Sequence, residues 1–123
     1  MVAVQSDGCA PVVKAFHDGL KEPIFWENAS TEAAGLRIPA TVGGRLMLQA
    51  LRESSGTAVM VSDEAMHEAV KLLATTEGIF AGLEAAAAVA GAQELDKQGW
   101  FNSEERIVLF CTGSGLKQNL PLM

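Results

Sequence analysis

Arg106-Ile107-Val108-Leu109-Phe110-Cys111-Thr112-Gly113-Ser114-Gly115-Leu116-Lys117 sets a charge, an unbroken apolar run and a glycine-rich turn in one line. An apolar run without alternation, bounded by charge and by glycine, reads as a strand buried on both faces, the pattern of a parallel sheet. In an open α/β sheet, ligands sit just beyond the carboxyl ends of the strands. The turn would then present the hydroxyls of Thr112 and Ser114, and the bare amides of Gly113 and Gly115, at a binding edge. The residues leave the ligand open, because the turn lacks the full pattern of a dinucleotide fingerprint or a P-loop.

Upstream of this stretch the chain alternates strand and helix. Residues 100–105 connect back to a helix over about 83–97, closed by Gly99 and rich in alanine: Ala85, Ala86, Ala87, Ala88 and Ala90. Alanine has the highest helix propensity and permits close backbone approach, so this helix is expected to press against a sheet or another domain. Before it, Ser62 caps a helix with Asp63 and Glu64 in its first turn and Met66, Ala69, Val70 and Leu73 as its buried stripe. Residues 57–61 form the preceding strand. A helix over 44–54 sets Leu46, Met47, Ala50 and Leu51 on one face and Arg45, Gln49, Arg52 and Glu53 on the other. Residues 2–5 open the chain as a strand, Ser6-Asp7-Gly8 turns, and Pro11, Val12, Val13, Phe16 and Leu20 mark a first helix.

Residues 20–42 show no sustained period, and Pro23, Asn28, Gly35 and Pro39 punctuate them. So long a loop in a small domain either wraps a neighbour or holds a short helix near residues 30–34. Trp26 within it reads as a packing anchor. The fold class is thus α/β: a small, mainly parallel sheet of three to four strands flanked by helices, one domain over residues 1–123. Only three strands are visible, so both sheet edges stay open and the chain reads as a piece of something larger. Residues 118–123 read as a frayed tail.

Nine basic against 15 acidic residues give a net charge of −6, and no basic stripe forms. This argues against nucleic acid and acidic membranes as partners. The longest mostly apolar run, residues 79–92, contains Glu84 and is too short to span a bilayer, so the chain reads as cytoplasmic. Cys9 and Cys111 have neither disulfide nor zinc spacing and are expected to be buried thiols. His17 and His67 read as surface histidines. Glu77 and Glu84 bracket Ile79-Phe80, where acid/base work and solvated helix-end charge are equally good accounts. No catalytic residue and no metal site are assigned.

Several strings together resemble a known family: Gly8-Cys9-Ala10-Pro11, Gly35-Leu36-Arg37-Ile38-Pro39, the run from Ala50 through Gly56-Thr57-Ala58-Val59, Val61-Ser62-Asp63-Glu64, Glu77-Gly78-Ile79-Phe80 and Thr112-Gly113-Ser114-Gly115-Leu116-Lys117. In that order they are similar to the C-terminal part of threonine synthase, over nearly the whole chain. The resemblance implies a partial tryptophan-synthase-β-like domain whose parent is a pyridoxal-phosphate enzyme, converting O-phosphohomoserine and water to threonine and phosphate. It also implies a cofactor contact at Thr112, Gly113 and Ser114, with the Thr112 hydroxyl against the pyridine nitrogen. A neutral hydroxyl there need not protonate the ring.

The family's Schiff-base lysine and its phosphate-holding loop have no matching strings here. None of Lys14, Lys21, Lys71, Lys97 and Lys117 occupies a matching position. Cys111 stands where Asn is usual, Gly44-Arg45 replaces Gly-Asp, and Leu83-Glu84-Ala85 replaces Pro-Glu-Gly. The resemblance therefore implies a chain that binds no pyridoxal phosphate alone, and whose partner is an N-terminal threonine synthase chain or a second copy of itself. A non-catalytic, self-associating or small-molecule-binding module is the alternative.

Overall fold

The computed structural model describes residues 1–118. The expected fraying of the tail therefore falls, beyond Gln118, on residues outside those described. The chain divides into two compact units, Met1–Met60 and Val61–Met123.

The first unit is a strand-helix-helix-strand layer: β1 (Val2–Ser6), α1 (Pro11–His17), α2 (Gly44–Glu53) and β2 (Thr57–Val61), whose last residue begins the second unit. β1 and β2 pair in a two-stranded parallel sheet. Their start is fixed by the Thr57 amide donating to the Met1 carbonyl at 3.2 Å. α1 begins at Pro11, and its next amides, of Val12 and Val13, both donate to Gln5 Oε1, at 2.8 and 3.0 Å. A β1 side chain thus satisfies the orphan donors of the helix that follows. Ala10, Val12, Val13, Ala15, Leu48, Leu51 and Ala58 form the core, with Phe16, Leu20 and Trp26 laid against it. Trp26 is a packing anchor, as expected.

The buried stripe of α2 differs from the one its hydrophobic pattern predicts. Gly44, Leu48 and Leu51 face inward, while Leu46 is 70 % exposed and Met47 also lies open. The reason is Gly44, where an added Cβ would lie 2.4 Å from Pro23 Cγ. So close an approach rotates the 44-48-51 line inward, and a hydrophobicity pattern does not register glycine as a contact. His17 is exposed as expected, but its Nε2 also donates to the Ala58 carbonyl at 2.8 Å and ties α1 to β2. The loop over 20–42 holds one 3-10 turn, Ala34–Leu36, and is pinned by Arg52 Nη2 donating to the Leu20 carbonyl at 2.6 Å and by the Ser30 amide donating to the Gly8 carbonyl at 3.0 Å.

The second unit is a pair of packed helices, α3 (Asp63–Glu77) and α4 (Leu83–Lys97). Ser62 Oγ accepts from the Ala65 amide at 3.2 Å, and Asp63 and Glu64 fill the positive end of α3. A cap of this kind is worth about 1 kcal/mol. Met66, Ala69 and Val70 of α3 are buried; Leu73 is half-buried. From α4, Ala85, Ala86, Ala87, Ala90 and Gly91 are buried between Leu83 and Leu95. Small side chains let the two backbones approach, which replaces bulk by contact density.

Two expectations fail in this unit. Residues 107–110 are not a buried strand: Val108 is 76 % and Phe110 78 % exposed, and among the described residues the segment pairs with nothing. A strand needs neighbours for its backbone groups, and α3 and α4 supply only helix surface. Among the described residues the sheet accordingly has two strands rather than the three to four expected. Cys111, at the end of the same segment, is exposed rather than buried, whereas Cys9 has no exposed surface.

The two thiols should separate cleanly in a test. Burial pushes the Cys9 thiol above its ordinary value of 9.0, against a smaller pull in the other direction from the Ile38 backbone hydrogen bond. A disulfide-exchange reagent is therefore expected to modify Cys111 in the folded chain and to reach Cys9 only on unfolding. The same shift has a sign in stability. A raised folded pKa means the folded chain keeps a proton that the unfolded chain has lost, so this contribution is complete below pH 9.0 and disappears as pH rises toward the folded value. Urea midpoints are expected to fall between about pH 8 and about pH 10, and Cys9→Ala should flatten part of that slope. An unchanged slope would place the alkaline loss elsewhere.

Candidate functional site

The glycine-rich turn lies on the start of α4. Ala81 and Ser114 form an antiparallel bridge, the Gly82 amide donates to the Gly113 carbonyl at 3.0 Å, and the Gly115 amide donates to the Phe80 carbonyl at 2.9 Å. Gly115 is buried here because only a residue without a side chain fits: an added Cβ would sit 2.8 Å from Phe80 Cε1 and 2.9 Å from the Ala81 carbonyl oxygen. Thr112 is exposed, and Gly113 and Ser114 are half-buried. The three residues singled out from the sequence thus lie together at one end of α4.

What the turn offers a ligand differs from the expectation. The Gly115 amide is not bare but spent on Phe80, the Leu116 amide donates to Ser114 Oγ at 3.3 Å, and those of Lys117 and Gln118 donate to the carbonyls of Ser114 and Gly115, both at 3.1 Å. Four consecutive amides are therefore turned inward, and the 3-10 turn Gly115–Lys117 is no anion cradle. Thr112 is exposed, and its hydroxyl is able to donate one hydrogen bond and to accept others.

One further residue of the site, Gln118, was not read from the sequence, and it meets Glu84, which was singled out there only beside Glu77. Gln118 Oε1 accepts from the Leu83 amide at 2.8 Å, and its Nε2 donates to Glu84 Oε2. The signal was there in negative form: α4 starts after Gly82, which has no side chain to cap it, so the first amides need an acceptor from elsewhere. Glu84 is half-buried in the first turn of α4, where the dipole favours its charge.

Chemistry that needs an amine is poorly served. All five lysines are exposed, and Lys14 is ion-paired with Asp18 at 2.8 Å. An amine that forms imines is ordinarily held in an apolar pocket or beside another cation, where its pKa is lowered. An apolar cavity of about 270 Å³ in the first unit is lined by Pro11, Lys14, Ala15, Phe25 and Trp26, but the Lys14 amine is held by Asp18. Among the described residues, no cluster of His, Cys, Asp and Glu is able to hold a metal ion, and no helix is long and apolar enough to cross a membrane.

The model of the pyridoxal-phosphate dependent enzyme family matches residues 1–113. Over 117 residues the chain is 41 % identical to the threonine synthase of Methanocaldococcus jannaschii, covering 95 % of this chain and 29 % of that protein. Identity to the Methanosarcina acetivorans threonine synthase is 39 % over the same shares, and to that of Mycobacterium bovis 32 %, covering 30 % of the latter. The chain therefore spans less than a third of the length of the threonine synthases it matches. A crystal structure of a threonine deaminase from T.th. superposes with a TM-score of 0.68 at 21 % identity, over 98 % of this chain and 41 % of that one, which establishes the fold as α/β of the tryptophan-synthase-β type. With a family match over residues 1–113, the chain belongs to the pyridoxal-phosphate dependent enzymes, as a segment similar to threonine synthase.

Proposed function

We propose that this chain is the C-terminal part of a threonine-synthase-type enzyme, inactive alone, that supplies the ring-nitrogen side of a pyridoxal-phosphate site to a chain carrying the lysine and the phosphate loop. The observation that carries the reading is the mismatch between the turn and the whole cofactor. Thr112 is exposed and suits a neutral hydroxyl contact to the pyridine nitrogen, and Gly113 and Ser114 hold it in place through Gly82 and Ala81. The inward amides of residues 115–118 do not suit a phosphate, and no lysine has the surroundings of an imine-forming amine. Pyridoxal phosphate acts as an electron sink when bound. This chain's own part would be to orient the ring and, through a neutral hydroxyl, to leave its nitrogen unprotonated.

The whole enzyme's reaction would be the conversion of O-phosphohomoserine and water to threonine and phosphate, in the cytoplasm. Mixing the isolated chain with pyridoxal phosphate and O-phosphohomoserine is expected to release phosphate at the background rate, and borohydride to leave no pyridoxyl group on its lysines. Turnover by the isolated chain, or one stoichiometrically reduced lysine, overturns the reading.

A second reading is a self-associating module without catalysis. It is favoured by the open apolar side chains of the first unit, Ile24, Phe25, Val42 and Leu46, each more than half exposed. Apolar surface on this scale usually meets a partner. Sedimentation across a hundredfold concentration range decides it, and a monomer throughout counts against self-association.

A further inference from the structure

We infer that the cavity between residues 23–25 and the start of α2 is a binding site for a small aliphatic carboxylic acid, built wholly within the first unit and independent of the split-enzyme reading. Its volume is about 260 Å³, and Pro23, Ile24, Phe25, Pro39, Thr41 and Val42 are among its walls.

Two independent observations meet there. The first is a hydroxyl. Thr41 Oγ1 is buried and, among the described residues, has no hydrogen-bond partner. Buried polar groups in folded proteins are paired in all but a few cases, so an orphan on a cavity wall calls for a group from outside the chain. The second is the start of α2. Gly43 has no side chain to cap it, and the Leu46 and Met47 amides both turn back to the Gly43 carbonyl, at 2.9 and 3.1 Å. Among the described residues the Gly44 and Arg45 amides have no acceptor, and no acidic side chain stands in the first turn. A helix of ten residues thus presents its positive end with two open donors, and Arg45 adds a full positive charge to the same turn. The hydroxyl and the helix end adjoin. A Cβ on Gly44 would lie 3.5 Å from Thr41 Cβ and 2.4 Å from Pro23 Cγ, so the first residue of α2 packs directly on the cavity wall.

The class of ligand follows from what each side offers. The helix end and Arg45 call for an anion, and helix N-terminal amides take carboxylate and phosphate alike. The walls choose between them. Pro23, Ile24, Phe25 and Val42 carry no polar side-chain atom, so the further oxygens of a phosphate would be left without partners, whereas a carboxylate has two oxygens to satisfy. One accepts from the open amides and the other from the Thr41 hydroxyl, while the hydrocarbon chain lies on Ile24, Phe25 and Val42. An α-ammonium group would stand beside the positive end of the helix, which disfavours amino acids. The way in is open. Among the described residues no hydrogen bond holds the backbone of Ile24 or Phe25, and their side chains are 68 % and 62 % exposed, so this wall is free to move aside and uncover Thr41.

The test titrates the full, isotope-labelled chain with isocaproate, with its neutral amide, with leucine, which is isocaproate carrying an α-ammonium, and with inorganic phosphate. Saturable shifts of the Gly44 and Arg45 amides are expected with isocaproate, about tenfold weaker binding with leucine, and no saturation with the amide or with phosphate. Thr41→Val keeps the shape without the hydroxyl. It should leave the melting temperature unchanged or higher, because no bond is lost, and weaken isocaproate about tenfold. Arg45→Asp sets a carboxylate in the first turn, where the helix dipole favours it, so the fold is kept and binding should drop about a hundredfold. Absence of any saturable shift with isocaproate overturns the site, and so does undiminished binding by Thr41→Val. Leucine or the amide binding as tightly as isocaproate overturns the carboxylic-acid class, and phosphate saturating the same amides overturns it in favour of a plain anion. Shifts of those amides on raising the protein concentration alone overturn it in favour of a second copy of the chain.

Discussion

Gly8→Ala is expected to cost about 3 kcal/mol of stability, a large part of what a small domain has, and to loosen the loop over residues 20–42. A Cβ on Gly8 would lie 1.6 Å from the Ser30 carbonyl oxygen and 2.8 Å from its carbon. Both contacts are backbone, so no side-chain rotation relieves them. The same two residues are joined by the Ser30 amide donating to the Gly8 carbonyl at 3.0 Å. Moving Ser30 away forfeits that bond, worth about 1 kcal/mol, and lifts the buried Thr31 and Ala33 that follow it. The core beneath, built from Ala10, Val12 and Val13, begins two residues after Gly8. Urea denaturation gives the loss, and limited proteolysis within 20–42 gives its location. A loss under about 0.5 kcal/mol would mean that the loop does not close on Gly8 in solution.

The residues that made this anchor invisible from sequence are the same kind that misdirected α2. β1, both helices of the first unit, β2, α3 and α4 follow from periodicity, from Pro11, and from the Ser62 cap, all of which act within a few residues. Gly8 against Ser30, Gly44 against Pro23 and Gly115 against Phe80 act across the chain, and a glycine leaves no hydrophobic signal to show which backbone it admits. The run over 107–110 failed for the opposite reason. Its pattern reads as a strand, but a strand is a property of the sheet that receives it, and among the described residues the second unit holds no sheet to receive it. The candidate site divides in the same way. That Thr112, Gly113 and Ser114 lie in one turn is local and legible; that the turn spends its amides on Phe80 and on itself, and that Gln118 caps α4, depends on what it folds against.

Gly115→Val tests whether steric fit or polar attraction holds that turn. The contacts a Cβ would make, 2.8 and 2.9 Å to the Phe80 ring and 2.9 Å to the Ala81 oxygen, combine a ring with backbone, so the two further methyl groups of valine have nowhere to go. The turn is expected to lift from the start of α4 at a cost of about 3 kcal/mol. Protection of the Gly82 and Gly115 amides, whose acceptors are Gly113 and Phe80, should then fall about a hundredfold. The helices should persist, because α3 and α4 bury their alanines against each other independently of the turn. Gly113→Val, where nothing lies within 4 Å, is the matched control and should leave both amides protected. Gln118→Ala removes the bonds to the Leu83 amide and to Glu84 without any clash, and water then reaches the freed donor. Its cost should stay near 1 kcal/mol, about a fivefold loss of protection. If Gln118→Ala instead matches Gly115→Val, the turn is held by its polar clasp, and Thr112 owes its position to Glu84 and Gln118 rather than to the close approach of Gly115 to Phe80.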